Sequence, residues 1–343
     1  YIDGFTGGAL PPRESIREIR INQNPFSAEF DRLGFGRIEV LTKPGTDRWR
    51  GQAFLNFNNQ YLNARNPFAS NRAPTNTYFY GGNVSGPIQK NKSSFFIDVS
   101  NRQEDNGSVV NAIILDPNLN IVPFTQEFTL PTRRFSFSPR FDYAINDKNT
   151  LVARYSFTRF TRDNLGINGF SLPERAYSSE STDHDMQLTH TMIINPKTVN
   201  ETRFRYEFEN NTQTGDNTIP TINVSSSFVG GGAQIGNNFN RERNWELQNY
   251  TTTALGANNQ HAVKFGVRLR GISLTDRSES GYGGTFTFTG VPAVRDANGN
   301  IITPAISSIE QYRQRLLGNT DPRFNPNQFS ITTGNPEAGV SQT

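Results

Sequence analysis

An all-β membrane protein is the fold class this sequence predicts: about ten strands of an antiparallel transmembrane barrel, preceded by a compact αβ segment. Three observations carry it. From Trp49 almost to the C-terminus, apolar and polar residues alternate with a period of two. Short turns and long polar connections alternate along the same region without exception, as a barrel with one rim of tight turns and one of long loops requires. Mean hydropathy is −0.61 and no run approaches the roughly 18 apolar residues of a spanning helix, yet the chain carries 27 Phe and 11 Tyr. Barrel strands hide apolar content by alternation, so a low mean is compatible with lipid contact.

The αβ segment lies between Pro11 and Gly51. Ile16, Ile19 and Ile21 mark a short strand, Pro25 to Arg32 a polar turn and helix, Gly34 and Gly36 a tight approach, and Arg37 to Thr42 a second strand closed by the Pro44-Gly45 turn. Trp49 to Asn58 then sets Trp49, Gly51, Ala53, Leu55 and Phe57 against Arg50, Gln52, Asn56 and Asn58. Thr77 to Ile88 alternates Tyr78, Tyr80, Gly82, Val84 and Gly86. Next, Phe95, Ile97 and Val99 oppose Asp98, Ser100 and Arg102. In Arg134 to Ile145, Phe135, Phe137, Phe141 and Tyr143 oppose Ser136, Ser138, Arg140 and Asp142. Leu151, Ala153, Tyr155 and Phe157 oppose Arg154, Ser156 and Thr158, and Met186, Leu188, His190 and Met192 form one face of the next strand. The sharpest case is Val199 to Glu209, where Phe204, Tyr206 and Phe208 alternate with Glu201, Arg203, Arg205, Glu207 and Glu209. Trp245 to Leu255, His261 to Leu274 and Thr285 to Thr289 complete the ten.

Short turns fall at Gln89 to Lys92, Asn146 to Asn149, Asn195 to Thr198 and Gly256 to Gln260. The long polar stretches are Asn59 to Asn76, Glu104 to Thr132, Thr161 to Asp183 and Asn210 to Asn244. A soluble sandwich or propeller would mix these lengths more evenly. In the final quarter Asp296 to Asn300 reads as a hairpin tip. Ser307 and Glu310 form a capping box for a short helix whose stripe is Ile309, Tyr312, Leu316 and Leu317, with Gly318 ending it. Pro322, Pro326 and Pro336 keep the tail irregular, and the chain stops where another strand is due.

IDGF at Ile2 to Phe5, SIREIRINQNPFSAEFDR at Ser15 to Arg32 and GFGRIEVLTKPGTDRWRGQAF at Gly34 to Phe54 resemble the end of the plug domain and the start of the barrel in TonB-dependent outer-membrane receptors. The subgroup with an N-terminal carboxypeptidase-regulatory-like domain is the nearest in pattern. In that family the plug closes on a Thr-Lys-Ser/Pro-Gly-Thr run, matched by Thr42, Lys43, Pro44, Gly45 and Thr46; Arg37-Ile38 departs from the small or β-branched residues often found there. The resemblance implies a plug segment over residues 1–47 and the N-terminal half of a larger outer-membrane barrel over 48–343. Glu29, Gly34, Gly36, Glu39, Thr42, Lys43, Gly45 and Thr46 form the plug–barrel motif. It further implies uptake of a scarce siderophore, glycan or peptide across the bacterial outer membrane, powered by a TonB-type transducer that touches a segment outside this chain. No cofactor and no covalent chemistry are implied. The chain opens on Tyr1 rather than Met, so a piece cut at both ends is expected.

Composition closes other routes. Lys and Arg number 34 against 31 Asp and Glu, so no basic field points to nucleic acid. Cys is absent, which removes thiolate metal sites, thiol catalysis and disulfides. Asp296 to Asn300 is not a calcium loop: Gly299 is misplaced and Ser307 stands where the bidentate Glu belongs. Gly230 to Gly232 with Gly236 lacks the dinucleotide spacing. His184 between Asp183 and Asp185 is read as a solvated strand end rather than a metal site. Arg203, Arg205, Glu207 and Glu209, with Lys264, Arg268 and Arg270, line a wet lumen and pair across strands or with the plug, since a mid-bilayer Arg on the lipid face would cost about 2 to 4 kcal/mol. Tyr61, Phe68, Phe124 and Phe239, in the long connections, are the candidates for substrate contact. Two other classes fit the pattern: an outer-membrane binding or adhesion protein without transport, and a soluble β-rich carbohydrate-binding protein.

Overall fold

The computed structural model describes residues 1–8, 10–22, 37–64 and 75–342. The turn and helix expected between Pro25 and Arg32, with Glu29, and the glycines Gly34 and Gly36 lie outside them. β1 (Ile16–Asn22) and β2 (Arg37–Thr42) pair antiparallel, with Ile19 opposite Val40 and Ile21 opposite Ile38. The first residues lie along β2: the Val40 amide donates to the Tyr1 carbonyl at 2.8 Å and the Asp3 amide to the Val40 carbonyl at 2.9 Å. Ile2, Phe5 and Val40 are buried and make the small apolar core of this N-terminal segment.

A meander follows: β3 (Arg50–Asn59), β4 (Thr75–Gln89), β5 (Ser93–Leu115), β6 (Ile121–Asn146), β7 (Asn149–Leu165), β8 (Tyr177–Asn195) and β9 (Thr198–Thr214). The hairpin β10 (Thr221–Val224) and β11 (Phe228–Gly231) interrupts it before β12 (Asn237–Leu255) and β13 (His261–Arg277). Then come β14 (Thr285–Phe288), β15 (Val294–Arg295), β16 (Ile301–Thr303), the helix α1 (Ser308–Leu316), β17 (Gln328–Ser330) and β18 (Glu337–Gln342). Ten strands form one antiparallel sheet in the order β3-β4-β5-β6-β7-β8-β9-β12-β13-β18. The four short turns fall between its strands where the sequence places them. One predicted strand does not belong: β14 leaves the wall, and the tenth wall strand is β18, which pairs with β13 from Ile272 to Arg277.

Burial in this sheet is inverted relative to a water-soluble protein. Tyr78, Tyr80, Val99, Phe135, Met186, Tyr206, Leu247, Phe265, Val267 and Leu269 are exposed, while Asp98, Ser100, Ser136, Ser138, Arg154, Asp185, Arg205 and Glu246 are buried. Strand period alone produces this, since neighbours along a strand face opposite sides. The apolar side is the lipid face. The polar side is buried because the sheet wraps around the N-terminal segment. Residues 3–6 alone touch Arg154 on β7, Arg205 on β9, Gln248 on β12 and Arg268 on β13. At about 4.8 Å per strand, β7 and β13 would stand roughly 19 Å apart in a flat sheet.

Three of the long polar stretches, Glu104 to Thr132, Thr161 to Asp183 and Asn210 to Asn244, carry regular secondary structure. β5 and β6 stay paired from Ser93 opposite Tyr143 to Leu115 opposite Ile121. A strand of 23 residues is far longer than the roughly 9 to 11 that cross a bilayer, so this hairpin stands well clear of the membrane. β11, β10, β14 and β17 form a second sheet beside it, with β10 and β14 parallel. Val110 and Ala112 of the hairpin, Ile167, Val224, Phe228, Phe288 and Ile309 of α1 close an apolar core. The Tyr312 ring meets Phe288 and Phe228 edge-on, at centroid distances of 5.1 and 5.8 Å. α1 begins as the capping box predicts, the Glu310 amide donating to Ser307 Oγ at 3.3 Å. Its stripe is half used: Ile309 and Tyr312 pack inward, whereas Leu316 and Leu317 are exposed. The end of the wall opposite the short turns is therefore a folded cap.

Two tips of this cap share one device. In Asp116-Pro-Asn-Leu-Asn120 and Asp296-Ala-Asn-Gly-Asn300 the aspartate accepts from the amides of the third and fifth residues and from the fifth side chain, all between 2.8 and 3.0 Å. Leu119 and Gly299 take the positive φ that closes each turn. Hydrogen bonds from Asn120 and from Asn300, side chain first, hold the Asp116 and Asp296 carboxyls below the usual carboxylate range. A depressed folded value contributes stability that is present above the unfolded pKa, about 3.9, and is lost as pH falls through the folded value. Amide exchange at both tips is expected to accelerate below about pH 4 relative to the wall; equal pH dependence in tips and wall would refute the assignment. Ile309→Ala should cost the cap about 2 to 5 kcal/mol, seen as faster exchange across β10, β14 and α1 with the wall still protected.

Candidate functional site

The inward face of the wall and the N-terminal segment meet in a seam of charge. Arg205 is its centre. On β9 its parity is inward, and its side chain is 4% exposed. Nη1 donates to the Thr6 carbonyl at 2.6 Å, Nη2 to Glu207 at 2.7 Å, and Nε and Nη2 to the two oxygens of Asp185 at 3.1 and 3.2 Å. One guanidinium thus joins β8, β9 and the N-terminal segment, using the fork geometry that suits Arg over Lys. Beside it Arg268 Nε donates to Glu246 at 2.5 Å and Nη2 reaches Thr6 Oγ1. The Thr6 amide in turn donates to Glu246 at 3.5 Å, and Gln248 donates to the Gly4 carbonyl at 3.5 Å.

A second knot lies lower on the wall. Asp3 accepts from the Thr42 amide at 2.9 Å and from its hydroxyl at 2.7 Å, and Arg154, 6% exposed, stands 3.8 Å away. Arg140 donates to Thr42 Oγ1 at 3.0 Å and forks Asp142, which accepts from the Gly45 amide at 3.0 Å. Thr46 Oγ1 meets Ser85 Oγ at 2.9 Å, and Lys43 donates to the Glu14 carbonyl at 2.6 Å. Glycine is required where arginines press on the segment. Gly4 has φ +89°, and a Cβ there would lie 1.9 Å from Arg203 Nη1; at Gly8, with φ +95°, it would lie 2.4 Å from Arg205 Nη2. Asp98, fully buried on β5, has no hydrogen-bond partner on either oxygen among the described residues.

The plug–barrel motif is placed as follows. Thr42, Gly45 and Thr46 bond the wall, Lys43 bonds back to the segment, and Glu39 pairs with Arg37 at 3.3 Å. Glu29, Gly34 and Gly36 lie outside the described residues. So does Phe68 among the aromatic candidates. Tyr61 is an exposed turn residue whose amide donates to Asn59. Phe124, opposite Ala112, packs on the cap core. Phe239 lies within β12, its ring under the Arg241 guanidinium at 4.0 Å. Of the lumen charges, Arg205 pairs across strands with Asp185 and Arg268 with Glu246, as expected, whereas Arg203 with Glu201 and Arg205 with Glu207 pair along one strand. Lys264 sits over the Tyr250 ring. Asp3, Thr6, Asp142 and Asp185 escaped sequence reasoning as partners; their pairing is set by register between distant strands. His184 is not a solvated strand end. Its Nδ1 lies 2.7 Å from Tyr155 Oη, between Phe157 and Phe208 on the outward face, opposite to Asp183 and Asp185.

A wall that is apolar outside and charged inside, and that packs on a segment of its own chain, is the wall of a membrane barrel. Residues 41–120 and 100–342 match the outer membrane beta barrel domain family, and the chain belongs to that family. Its place is the bacterial outer membrane. No curated protein matches it in sequence. Among solved structures it is similar in fold to the outer membrane transporter YddB from Escherichia coli, with TM-score 0.54 and 10% identity over 94% of this chain and 39% of that one. It is likewise similar to a mutant ferric enterobactin receptor, PfeA, from Pseudomonas aeruginosa, with TM-score 0.50 and 10% identity over 87% of this chain and 41% of that one. The chain therefore spans about two fifths of the length of these structures.

Arg205→Met is expected to release residues 1–8, because it strands Asp185 and Glu207 in a buried site; breaking such a pair costs about 3 to 5 kcal/mol. Arg159→Met, which breaks an exposed pair with Glu180, should cost about 0 to 1 kcal/mol. Hydrogen exchange of residues 1–8 in the two variants decides this; equal protection would remove Arg205 from its central role.

Proposed function

We propose that this chain is the plug-and-wall portion of a TonB-dependent outer-membrane receptor, in which the N-terminal segment is displaced by an inner-membrane energy source to admit an extracellular ligand. The seam's chemistry is the observation that carries this reading. A permanent seal is built most simply from apolar surface, which costs free energy to re-expose to water. Here the contacts from Asp3, Gly4, Thr6, Thr42 and Gly45 to the wall are hydrogen bonds and ion pairs to Arg140, Asp142, Arg154, Arg205, Gln248 and Arg268. Water can replace every one of them as the segment moves, and the segment keeps its own core of Ile2, Phe5 and Val40. The fold shared with an outer membrane transporter, and the sequence resemblance from Ile2 to Phe54, support transport over simple adhesion. Binding, displacement and passage call for no covalent chemistry.

The test exploits the absence of cysteine from this chain. Thr6→Cys places a single thiol at the seam. In living cells, labelling of that thiol by a membrane-impermeant maleimide is expected to slow when the inner-membrane proton gradient is collapsed. A labelling rate indifferent to the gradient would leave a static binding protein as the better reading.

A further inference from the structure

Above the seam the lumen changes sign. A cavity of about 490 Å³ lies between Thr6, Gly7 and Gly8 and the wall, where the carboxylates of Asp183, Glu207, Glu209 and Glu242 face the single guanidinium of Arg134. Three of the four are in direct register: Asp183 on β8 is opposite Glu209 on β9, which is opposite Glu242 on β12. Like charges directly across strands are destabilising, and this row has no arginine within it. Glu207, one row below, is held by Arg205 and Asn244. Glu209 accepts from Asn211 and Glu242 from Asn244. Asp183 has no protein donor: its residue is 8% exposed, it lines the cavity, and no hydrogen bond or ion pair reaches its carboxylate among the described residues. Its oxygens open onto the cavity, so its donors must come from what fills that space, water or a ligand.

The missing donor is not a metal ion. The row spans two strand spacings, about 10 Å, whereas calcium draws its oxygens to about 2.3 to 2.6 Å, and no group of acids in the described residues is close enough to hold one. What matches a 10 Å row of carboxylates is an elongated ligand with several ammonium or guanidinium groups. Arg134 and Phe160, in register at the far side of the same cavity, offer a site for a carboxylate and an apolar surface. We infer that this vestibule takes a short basic peptide, its cationic side chains along Asp183, Glu209 and Glu242 and its carboxylate towards Arg134. The inference rests on the receptor reading and names its substrate class. It also excludes an anionic ferric catecholate as the ligand of this cavity.

The experiment is calorimetric titration of the outer-membrane protein carrying this chain, purified in detergent, with tri-lysine, spermidine and ferric tris-catecholate. Tri-lysine is expected to bind, Asp183→Asn and Glu209→Gln each to weaken it at least tenfold, and Arg134→Gln to weaken tri-lysine while leaving spermidine unchanged. Asp183→Asn relieves repulsion, so the unliganded variant should melt no lower than the parent, which separates lost binding from lost folding. Tri-lysine binding that ignores Asp183→Asn, or a preference for the ferric catecholate, would overturn the inference. Spermidine bound as tightly as tri-lysine, with Arg134→Gln silent, would overturn the assignment to a peptide. Because the titration needs no energised membrane, its failure would leave the displacement reading untouched, and a gradient-independent thiol would leave the vestibule untouched.

Discussion

A strand in a bilayer must find every backbone hydrogen-bond partner on its neighbours, because the hydrocarbon offers none. That constraint fixes the rest of this protein. It demands long, uninterrupted pairing, met here without a break from Asn237 to Thr253 along β9 and β12. It also forces each strand into the two-residue period, which assigns every side chain to lipid or lumen. Since charge on the lipid face is expensive, all the charge these strands carry at membrane depth must turn inward. The lumen is then rich in ionisable groups before any function is asked of it. A segment lying there must be polar on its outer surface to be accommodated.

The energetics of the seam follow. Each guanidinium taken from water needs several acceptors at good geometry before burial is balanced. Arg205 finds them in two carboxylates and a backbone carbonyl; Arg140 finds them in Asp142 and Thr42. The wall alone cannot complete these sets, because Thr6 and Thr42 belong to the segment. Segment and wall therefore order each other. Ile2, Phe5 and Val40 keep the segment folded as a unit, but too few apolar groups face the wall to weld the two together.

Much of the wall was legible from sequence because its rules are local. Phe204, Tyr206 and Phe208 against Arg203, Arg205 and Glu207 need nothing but the strand period, and Asn146 to Asn149 announces its own turn. The capping box at Ser307 was readable for the same reason. The cap was not. Glu104 to Thr132 mixes charges, prolines and apolar residues with nothing local to say what covers them, and Val110 and Ala112 are fully buried because Phe228, Phe288 and Ile309 arrive from more than a hundred residues away. Thr285 to Thr289 has strand composition, and nothing local says that its partner is Thr221 to Val224 rather than a wall strand. The seam lies between these cases. Alternation turned Arg203, Arg205 and Arg268 inward, but only the register and the course of residues 3–6 could choose Asp185, Glu246 and the Thr6 carbonyl as partners.

Strand β9 shows how the segment dictates the wall. Its inward residues run Glu201, Arg203, Arg205, Glu207, Glu209 from the turn side outward. At the level of the two arginines, the segment presents backbone oxygens: Arg205 bonds the Thr6 carbonyl, and Gln248, two strand positions below Glu246 on β12, bonds that of Gly4. Carbonyls accept and cannot donate, so a carboxylate facing them would bury two acceptors against each other without a proton between them. Donors are obligatory there, and arginine is the donor that stays charged at every working pH. Where the segment presents amides instead, carboxylates stand opposite: Glu246 accepts from the Thr6 amide and Asp142 from that of Gly45. The inward side chains of the wall are thus matched one by one to the backbone groups that the segment turns towards them, arginine or glutamine where it shows oxygens and carboxylates where it shows amides.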